Sequence, residues 1–179
     1  MPSTLDTPRF RLRSFVPADA ADVSRIVGDR ELASGTLNIP HPYEPGMAEA
    51  WIATHADGVH RQSPVVFAVT ERESGALVGA VGLMLEPAHH RAELGYWVAR
   101  DAWGRGVCTE AARAVIRYGF NVLGLERIHA HHFSRNPSSG RVMQKLGMQH
   151  EGTLRAHVVK WERREDIECY GILREEFAT

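Results

Sequence analysis

The sequence has 179 residues, 44% of them hydrophobic, and carries 21 lysines and arginines against 22 aspartates and glutamates. A chain of this length can bury roughly 70% of its unfolded surface, so we expect residues 1–179 to form a single domain. The near-neutral charge argues against a general nucleic-acid binder and against a protein that adheres to charged membrane surfaces.

Cysteine usage and the N-terminus indicate the compartment. Cys108 and Cys169 fall in different predicted elements and do not form a dense disulfide framework. The N-terminus lacks the apolar core of a secretory signal, and no window approaches roughly 18 consecutive apolar residues. We therefore expect a reduced, soluble protein of the cytoplasm that does not bind membranes.

The first half of the chain reads as strands and helices separated by glycine and proline signals. In order, we predict a strand at Phe10–Phe15, a helix opened by Pro17 and Asp19 that buries Ala20, Val23, Ile26 and Val27, a loop at Gly35–Pro45, and a helix around Ala48–Val59. Strands then follow at Val65–Thr70, Ala76–Leu85 and Arg91–Val98, the first two joined by a glycine turn.

The second half begins with a change of period. An apolar stripe from Val107 to Leu123 predicts a helix with one buried face, which Gly124 ends. A strand at Arg127–Phe133, a short helix at Ser138–Leu146 closed by Gly147, and strands at His150–Val159 and Arg164–Leu173 complete the chain. These elements predict an α/β sandwich around one mixed sheet.

The most informative segment is a strand, a tight glycine turn and the first turn of a helix, at residues 93–111. Gly104 and Gly106 let the backbone approach a ligand closely, because neither has a Cβ atom. The unpaired N–H groups at the start of the helix favour negative charge. The segment therefore predicts a pyrophosphate cradle for a phosphorylated cofactor.

Several segments together resemble the GNAT superfamily of N-acetyltransferases, in its branch of ribosomal-protein N-terminal (alanine or serine) acetyltransferases. They are the strand Glu93–Val98, the turn and helix start Trp103–Ala111, the pair Asn136–Ser139 and Lys145–Met148, and the terminal segments Thr7–Arg13 and Tyr170–Glu176. The family's pyrophosphate signature has Gln or Arg, then Gly, then Gly or Ala, where this sequence has Trp103, Gly106 and Cys108. Only the central glycine matches strictly.

The resemblance implies a fold and a cofactor. The fold is a twisted, mixed and mostly antiparallel sheet of about seven strands, flanked by about four helices. The cofactor is acetyl-CoA. The residues implied to contact it are Val98, Trp103, Gly104, Arg105, Gly106, Val107, Cys108, Thr109, Asn136 and Ser139.

Acetyl transfer to an amine requires that a proton be removed, because only the neutral amine attacks a thioester and an α-amino group has a pKa of roughly 8. By resemblance, Glu93 is the candidate base, acting through an ordered water. Many relatives protonate the departing thiolate with a tyrosine seven residues after the helix asparagine, but that position is Met143 here. Ser139 remains as the candidate acid, and the ribosomal-protein branch is thought to use a serine.

Both candidates also have structural interpretations. A glutamate inside a strand is often a satisfied surface residue. A serine at a helix start often caps the helix or merely contacts the cofactor. One of the histidines His129, His131 and His132 is an alternative base.

Three sharper interpretations are disfavoured. Cys108 lies near a helix N-terminus but has no identifiable partner histidine, which argues against a covalent route. Adjacent histidines on a strand point to opposite faces, so we predict no metal site in the run from His129 to His132. A nicotinamide site is unsupported, because Thr109 replaces the third glycine and Glu126 precedes its strand.

We therefore predict an acetyl-CoA-dependent N-acetyltransferase that works by direct transfer in a ternary complex. By resemblance, the acceptor is the N-terminal amine of a ribosomal protein, and the alternatives are a polyamine, an amino acid or an antibiotic. A non-catalytic acyl-CoA-binding regulatory domain is the alternative of another class. We expect a monomer or homodimer.

Two segments are candidates for binding the acceptor. They are the loop Ile39–Tyr43 and the final hairpin His157–Trp161. In the hairpin, Trp161 with Glu162 and Glu165 offers a ring and two carboxylates to a cationic amine, although an exposed, charged turn is the simpler interpretation.

Overall fold

One eight-stranded sheet and five α-helices make up the computed structural model, which describes residues 4–56 and 64–178. The strands are β1 (Thr4–Asp6), β2 (Phe10–Arg13), β3 (Val65–Glu71), β4 (Leu77–Glu86), β5 (Arg91–Val98), β6 (Arg127–Phe133), β7 (Gln149–Lys160) and β8 (Arg163–Leu173). The helices are α1 (Ala20–Val27), α2 (Arg30–Ser34), α3 (Met47–Ala56), α4 (Val107–Asn121) and α5 (Pro137–Lys145). The mixed α/β architecture predicted from the sequence is confirmed.

Two elements exceed the seven strands and four helices expected. Strand β1 pairs antiparallel with β2, with Leu5 opposite Leu12, but three residues are too few to show a period. Helix α2 has five residues and is capped by the preceding Asp29, whose carboxylate accepts hydrogen bonds from the N–H groups of Glu31 and Leu32. Val59, the predicted end of the second helix, lies outside the described residues.

The sheet is antiparallel except at one place. Its strands lie in the order β1-β2-β3-β4-β5-β6-β8-β7, and among the described strands only β5 and β6 run parallel. Their pairing spans Arg91–Glu93 opposite Arg127–His129 and then stops, although β5 continues to Val98 and β6 to Phe133. The two strands therefore separate beyond Glu93 and leave a wedge-shaped opening in the middle of the sheet.

A hydrophobic core lies on each face of the sheet. On one face, α4 packs its predicted stripe against β3, β4 and β5, so that Val115 and Ile116 are fully buried. On the other face, α1 and α3 enclose a smaller core with Val23, Ile26 and Ile52. None of the helices in the described ranges is long and apolar enough to span a membrane.

Candidate functional site

The start of α4 is an open glycine turn. Gly104 and Gly106 have φ values of +74° and +78°, a region that residues with a Cβ atom adopt with strain. No side chain in residues 4–56 or 64–178 caps this helix, whereas Asp29 caps α2 and Asn136 caps α5. The N–H groups of the first turn are therefore available to an anion.

The space over the turn is also open. A Cβ atom at Gly104 would meet no described atom within 4 Å, and one at Gly106 would meet only Nη2 of Arg9, at 3.4 Å. The Arg9 guanidinium also donates to the Arg105 carbonyl oxygen at 2.8 Å and to the Glu110 carboxylate at 2.7 Å. Arg9 therefore ties β2 to the start of α4, and its charge is balanced by Glu110, as that of the Arg105 side chain is by Glu71 at 2.8 Å.

Other residues predicted at this turn hold it against β5. The indole N–H of Trp103 donates to the Val98 carbonyl oxygen at 2.8 Å, which fixes the turn at the end of the strand. The Val107 side chain is buried in the core, while Cys108 and Thr109 are half-buried in the first turn of α4. Any contact of Val107 with a ligand must therefore come from its backbone.

A cavity of about 590 Å³ lies at the wedge between β5 and β6. Glu93 and Tyr96 of β5, His131 of β6 and Ser139 of α5 all line it. Helices α1 and α3 and part of the predicted acceptor loop, namely Ile39, Pro40 and Tyr43, close another side. The two predicted catalytic residues, 46 positions apart in the sequence, therefore face one space.

Glu93 is paired with a histidine. Its Oε1 atom lies 3.2 Å from Nδ1 of His131, and the two side chains are 37% and 33% exposed. One residue further on, the His132 ring is buried and its Nδ1 lies 2.8 Å from the Phe133 carbonyl oxygen. The predicted divergence of adjacent histidines makes His131, and not His132, the partner of Glu93.

Ser139 lies in the first turn of α5, where its Oγ is 2.9 Å from the Tyr96 hydroxyl oxygen. Burial raises the pKa of Tyr96 above its usual value, and the hydrogen bond with Ser139 offsets only part of this effect. Asn136 caps the helix, accepting from the Ser139 N–H at 3.4 Å, and also donates to the Gly35 carbonyl oxygen.

Sequence reasoning missed Tyr96. The family resemblance places the acidic tyrosine on the helix, at the position of Met143, and the Met143 side chain is fully buried. A tyrosine hydroxyl reaches Ser139 from β5 instead. The available signal was a tyrosine within the strand predicted to lie beside the cofactor.

Comparison with known proteins identifies the family. The acetyltransferase (GNAT) domain profile matches residues 9–149. This chain belongs to the GNAT acetyltransferase family. The acetyltransferase is 30% identical to the uncharacterized N-acetyltransferase p20 of Bacillus licheniformis over 98% of both chains. It is 29% identical to the uncharacterized N-acetyltransferase YoaA of Bacillus subtilis, over 95% of this chain and 96% of that one.

Solved structures share the fold. A GNAT-family acetyltransferase from Bacillus anthracis superposes with a TM-score of 0.86 at 25% identity, covering 97% of this acetyltransferase and 99% of that chain. The ribosomal-protein-S5-alanine acetyltransferase of Vibrio fischeri gives 0.84 at 19% identity, over 98% and 99% of the two chains. The spermidine N-acetyltransferase of Vibrio cholerae, in complex with CoA and spermine, gives 0.81 at 22% identity, over 95% and 98%.

Family membership defines the reaction class: the GNAT protein is an acetyl-CoA-dependent N-acetyltransferase. The residues present fit this cofactor, because the uncapped start of α4, the two left-handed glycines and the free space above them form an open anion site. The wedge beside it opens into the cavity lined by Glu93 and Ser139.

The described residues of this acetyltransferase do not favour covalent catalysis by Cys108 or a metal site. Burial raises the pKa of the Cys108 thiol to about 12, so the thiolate that a covalent route requires is scarce at neutral pH. Within the described part of the chain, no three histidine, cysteine, aspartate or glutamate side chains come close enough to share a metal ion.

Cationic side chains of the acetyltransferase itself contact the aromatic ring and the buried carboxylate of the final hairpin. Lys160 Nζ lies 5.1 Å from the centre of the Trp161 ring, and Arg30 lies 5.4 Å from it. Arg135 donates to the buried carboxylate of Glu165 at 2.9 Å. None of residues 157–161 lines the cavity, so the hairpin supports the acceptor loop and does not itself face the cavity.

Proposed function

We propose that this acetyltransferase transfers an acetyl group to the α-amino group of a protein, of the ribosomal-protein type, in a ternary complex without a covalent enzyme intermediate. The observation that carries the proposal is the convergence of Glu93 and Ser139 on one cavity, together with the open start of α4 that follows the strand β5 on which Glu93 lies. A base, a hydrogen-bond donor and an anion cradle are what direct acetyl transfer requires.

The cradle residues hold the cofactor in this proposal. Backbone N–H groups from Arg105 to Thr109 bind its pyrophosphate, with Trp103 and Gly104 shaping the turn. Val98, Asn136 and Ser139 complete the proposed cofactor contacts, and of these three Ser139 lines the cavity. Acetyl-CoA, when bound, supplies a thioester carbonyl with a thiol as its leaving group.

Glu93 and His131 move the amine's proton. The Glu93 carboxylate accepts it, directly or through water, and His131 at 3.2 Å orients the carboxylate and shares its charge. His131 lines the cavity and could itself serve as the base, as could His132, which also lines it. Comparison of Glu93→Gln, His131→Asn and the double variant distinguishes these roles.

Ser139 and Tyr96 act on the leaving thiolate. The raised pKa of Tyr96 keeps its hydroxyl protonated, so it can donate to Ser139 while the Ser139 hydroxyl donates to the departing sulfur. Ser139 is the candidate acid, and Tyr96 is a positioning residue that acts through it.

The acceptor is chosen from resemblance and likeness of fold. The N-terminal and C-terminal segments resemble the ribosomal-protein branch, and a ribosomal-protein alanine acetyltransferase superposes over nearly the whole chain. A small amine is the second candidate, since the spermidine N(1)-acetyltransferase of Escherichia coli is 32% identical over 54% of this chain.

The test is thiol release from acetyl-CoA with a panel of amines that includes N-terminal ribosomal peptides and polyamines, after calorimetric titration of acetyl-CoA alone. Acetyl-CoA binding together with amine-dependent thiol release supports the proposal, and mass spectrometry of the peptide locates the acetyl group. Binding without turnover by any amine would favour a non-catalytic acyl-CoA-binding domain.

We also propose that residues 1–179 form one GNAT domain and that the enzyme works in the cytoplasm as a monomer or homodimer. Both cysteines are free thiols, as expected in a reducing compartment. Limited proteolysis without stable fragments and a single folding transition would support the single domain.

A further inference from the structure

The cavity has an apolar and aromatic wall on the side of α1 and α3. Residues Val27, Ile39, Tyr43, Met47 and Trp51 line it. The Trp51 ring packs edge-on against Phe15, with centroids 4.9 Å apart, and against His55, at 4.6 Å. Burial lowers the pKa of His55, so this imidazole stays neutral near pH 7 and adds no charge to the wall.

Formal charge is sparse in the cavity. Among the described residues that line it, Glu93 is the one carboxylate, and no lysine or arginine is present. Burial, and to a lesser extent the charge of Glu49, raises the pKa of the Tyr43 hydroxyl, but Glu49 is exposed and does not line the cavity. One carboxylate can compensate one ammonium group.

Cations lie behind the acceptor loop. The buried Lys160 donates to the carbonyl oxygens of Leu37 and Ile39, at 3.1 and 2.6 Å. Arg135 donates to the Ser34 carbonyl oxygen at 2.8 Å, and its charge is offset by Glu165. Lys160 has no such carboxylate partner among the described residues, so this wall has a positive charge beneath its surface.

From this distribution we infer that the acceptor carries a single primary amine on an apolar or aromatic body, and that a polyamine is a poor substrate. Each additional ammonium would lose its hydration against apolar walls, close to Lys160, without a carboxylate to compensate it. The apolar body gains from burial against Trp51 and Met47. The inference rests on the proposed function, because it assigns the acceptor to this cavity.

The first test compares acceptors in the thiol-release assay at saturating acetyl-CoA. Pentapeptides that differ only in their first residue, phenylalanine, leucine or serine, are measured beside 2-phenylethylamine and spermidine. We expect phenylalanine and leucine peptides to exceed the serine peptide at least about tenfold in kcat/KM, the effect of burying ~60–100 Å² more apolar surface. Spermidine should fall below all three, and the ratio of peptide to 2-phenylethylamine identifies a protein or a small molecule as the source of the amine.

The second test changes the charge of the wall. Ala50 lines the cavity from α3, and Ala53 is exposed on the same helix without lining it. Ala50→Glu should raise the kcat/KM ratio of spermidine to leucine peptide at least about tenfold, because it adds a second carboxylate. Ala53→Glu, the matched control, should leave this ratio within about twofold.

The outcomes separate the inference from the function on which it rests. Spermidine used as well as the leucine peptide, or a ratio unmoved by Ala50→Glu, would overturn the inference and leave the N-acetyltransferase intact. If acetyl-CoA binds but none of the amines causes thiol release, the proposed function is overturned and the inference with it.

Discussion

Replacing Glu93 with glutamine tests the proposed base directly. Glutamine has almost the shape of glutamate, and its amide can still hydrogen bond to His131 across the 3.2 Å gap. The side chain is 37% exposed, so we expect the stability to change by no more than about 0.5 kcal/mol. The substitution therefore removes the proton acceptor and little else.

The size of the effect follows from the exposure of the site. General-base catalysis contributes about 10²- to 10⁴-fold. Because water reaches Glu93 and can accept part of the proton flux, we expect kcat to fall by about 10² at pH 7, equivalent to about 2.7 kcal/mol. The loss should shrink above about pH 8, where the α-amino group of the acceptor deprotonates without help.

The same assay measures how Glu93 and His131 cooperate. His131→Asn alone should lower kcat about tenfold, because the carboxylate loses its orienting partner. If the pair acts as one proton acceptor, Glu93→Gln combined with His131→Asn should resemble Glu93→Gln alone, at about 10² and not 10³. Calorimetry should give acetyl-CoA Kd values within about twofold of wild type for all three variants.

Two results would refute this reasoning. Wild-type kcat at pH 7 in Glu93→Gln would remove Glu93 from the mechanism. Losses that multiply in the double variant would mean that the two side chains act independently and that the 3.2 Å contact is structural.

Three further predictions concern the cradle, the core and the acid response. Gly106→Val should raise the acetyl-CoA Kd at least about tenfold in calorimetry, because it strains the backbone and fills the open turn. The control is Gly124→Val, at a similar φ of +72° beyond the far end of α4, which should destabilise the fold without changing this Kd. Ile116→Ala should lower the free energy of unfolding by about 2–5 kcal/mol in urea titrations, since the side chain is fully buried, and a loss below about 1 kcal/mol would contradict that packing. Hydrogen bonds from Ser134, Thr153 and His150 lower the pKa of Glu168 to about 2. The ionised Glu168 therefore stabilises the folded protein fully above about pH 4.5, and this stabilisation is lost as the pH falls towards 2. Glu168→Gln should flatten the profile of thermal stability against pH over that range, and an unchanged slope would exclude this role.

Local patterns were sufficient for the regular elements. The stripe from Val107 to Leu123 predicted α4, because a helix can bury one face only if apolar residues recur every three or four positions. The short elements β1 and α2 were missed, because neither contains a full period. The glycine turn at residues 104–106 was also readable, since left-handed backbone and close ligand approach both favour glycine.

The side-chain contacts within the site could not be predicted from the sequence. Glu93 meets His131, and Tyr96 meets Ser139, across about 40 residues of sequence. These contacts depend on the parallel pairing of β5 with β6, on where that pairing stops, and on the angle at which α5 leaves the sheet. No local pattern in the chain encodes any of the three.

The sequence by itself therefore determined the longer strands and helices, the glycine turn before α4 and the family, because periodicity, turn residues and motifs are local features of the chain. Only the tertiary structure decided that Tyr96 reaches Ser139 in place of a helix tyrosine, and that Lys160 lies behind the acceptor loop. The physical reason is that a side chain's partner is set by strand order and register, which arise when the whole core closes, whereas its own conformation is set largely by its neighbours in the chain.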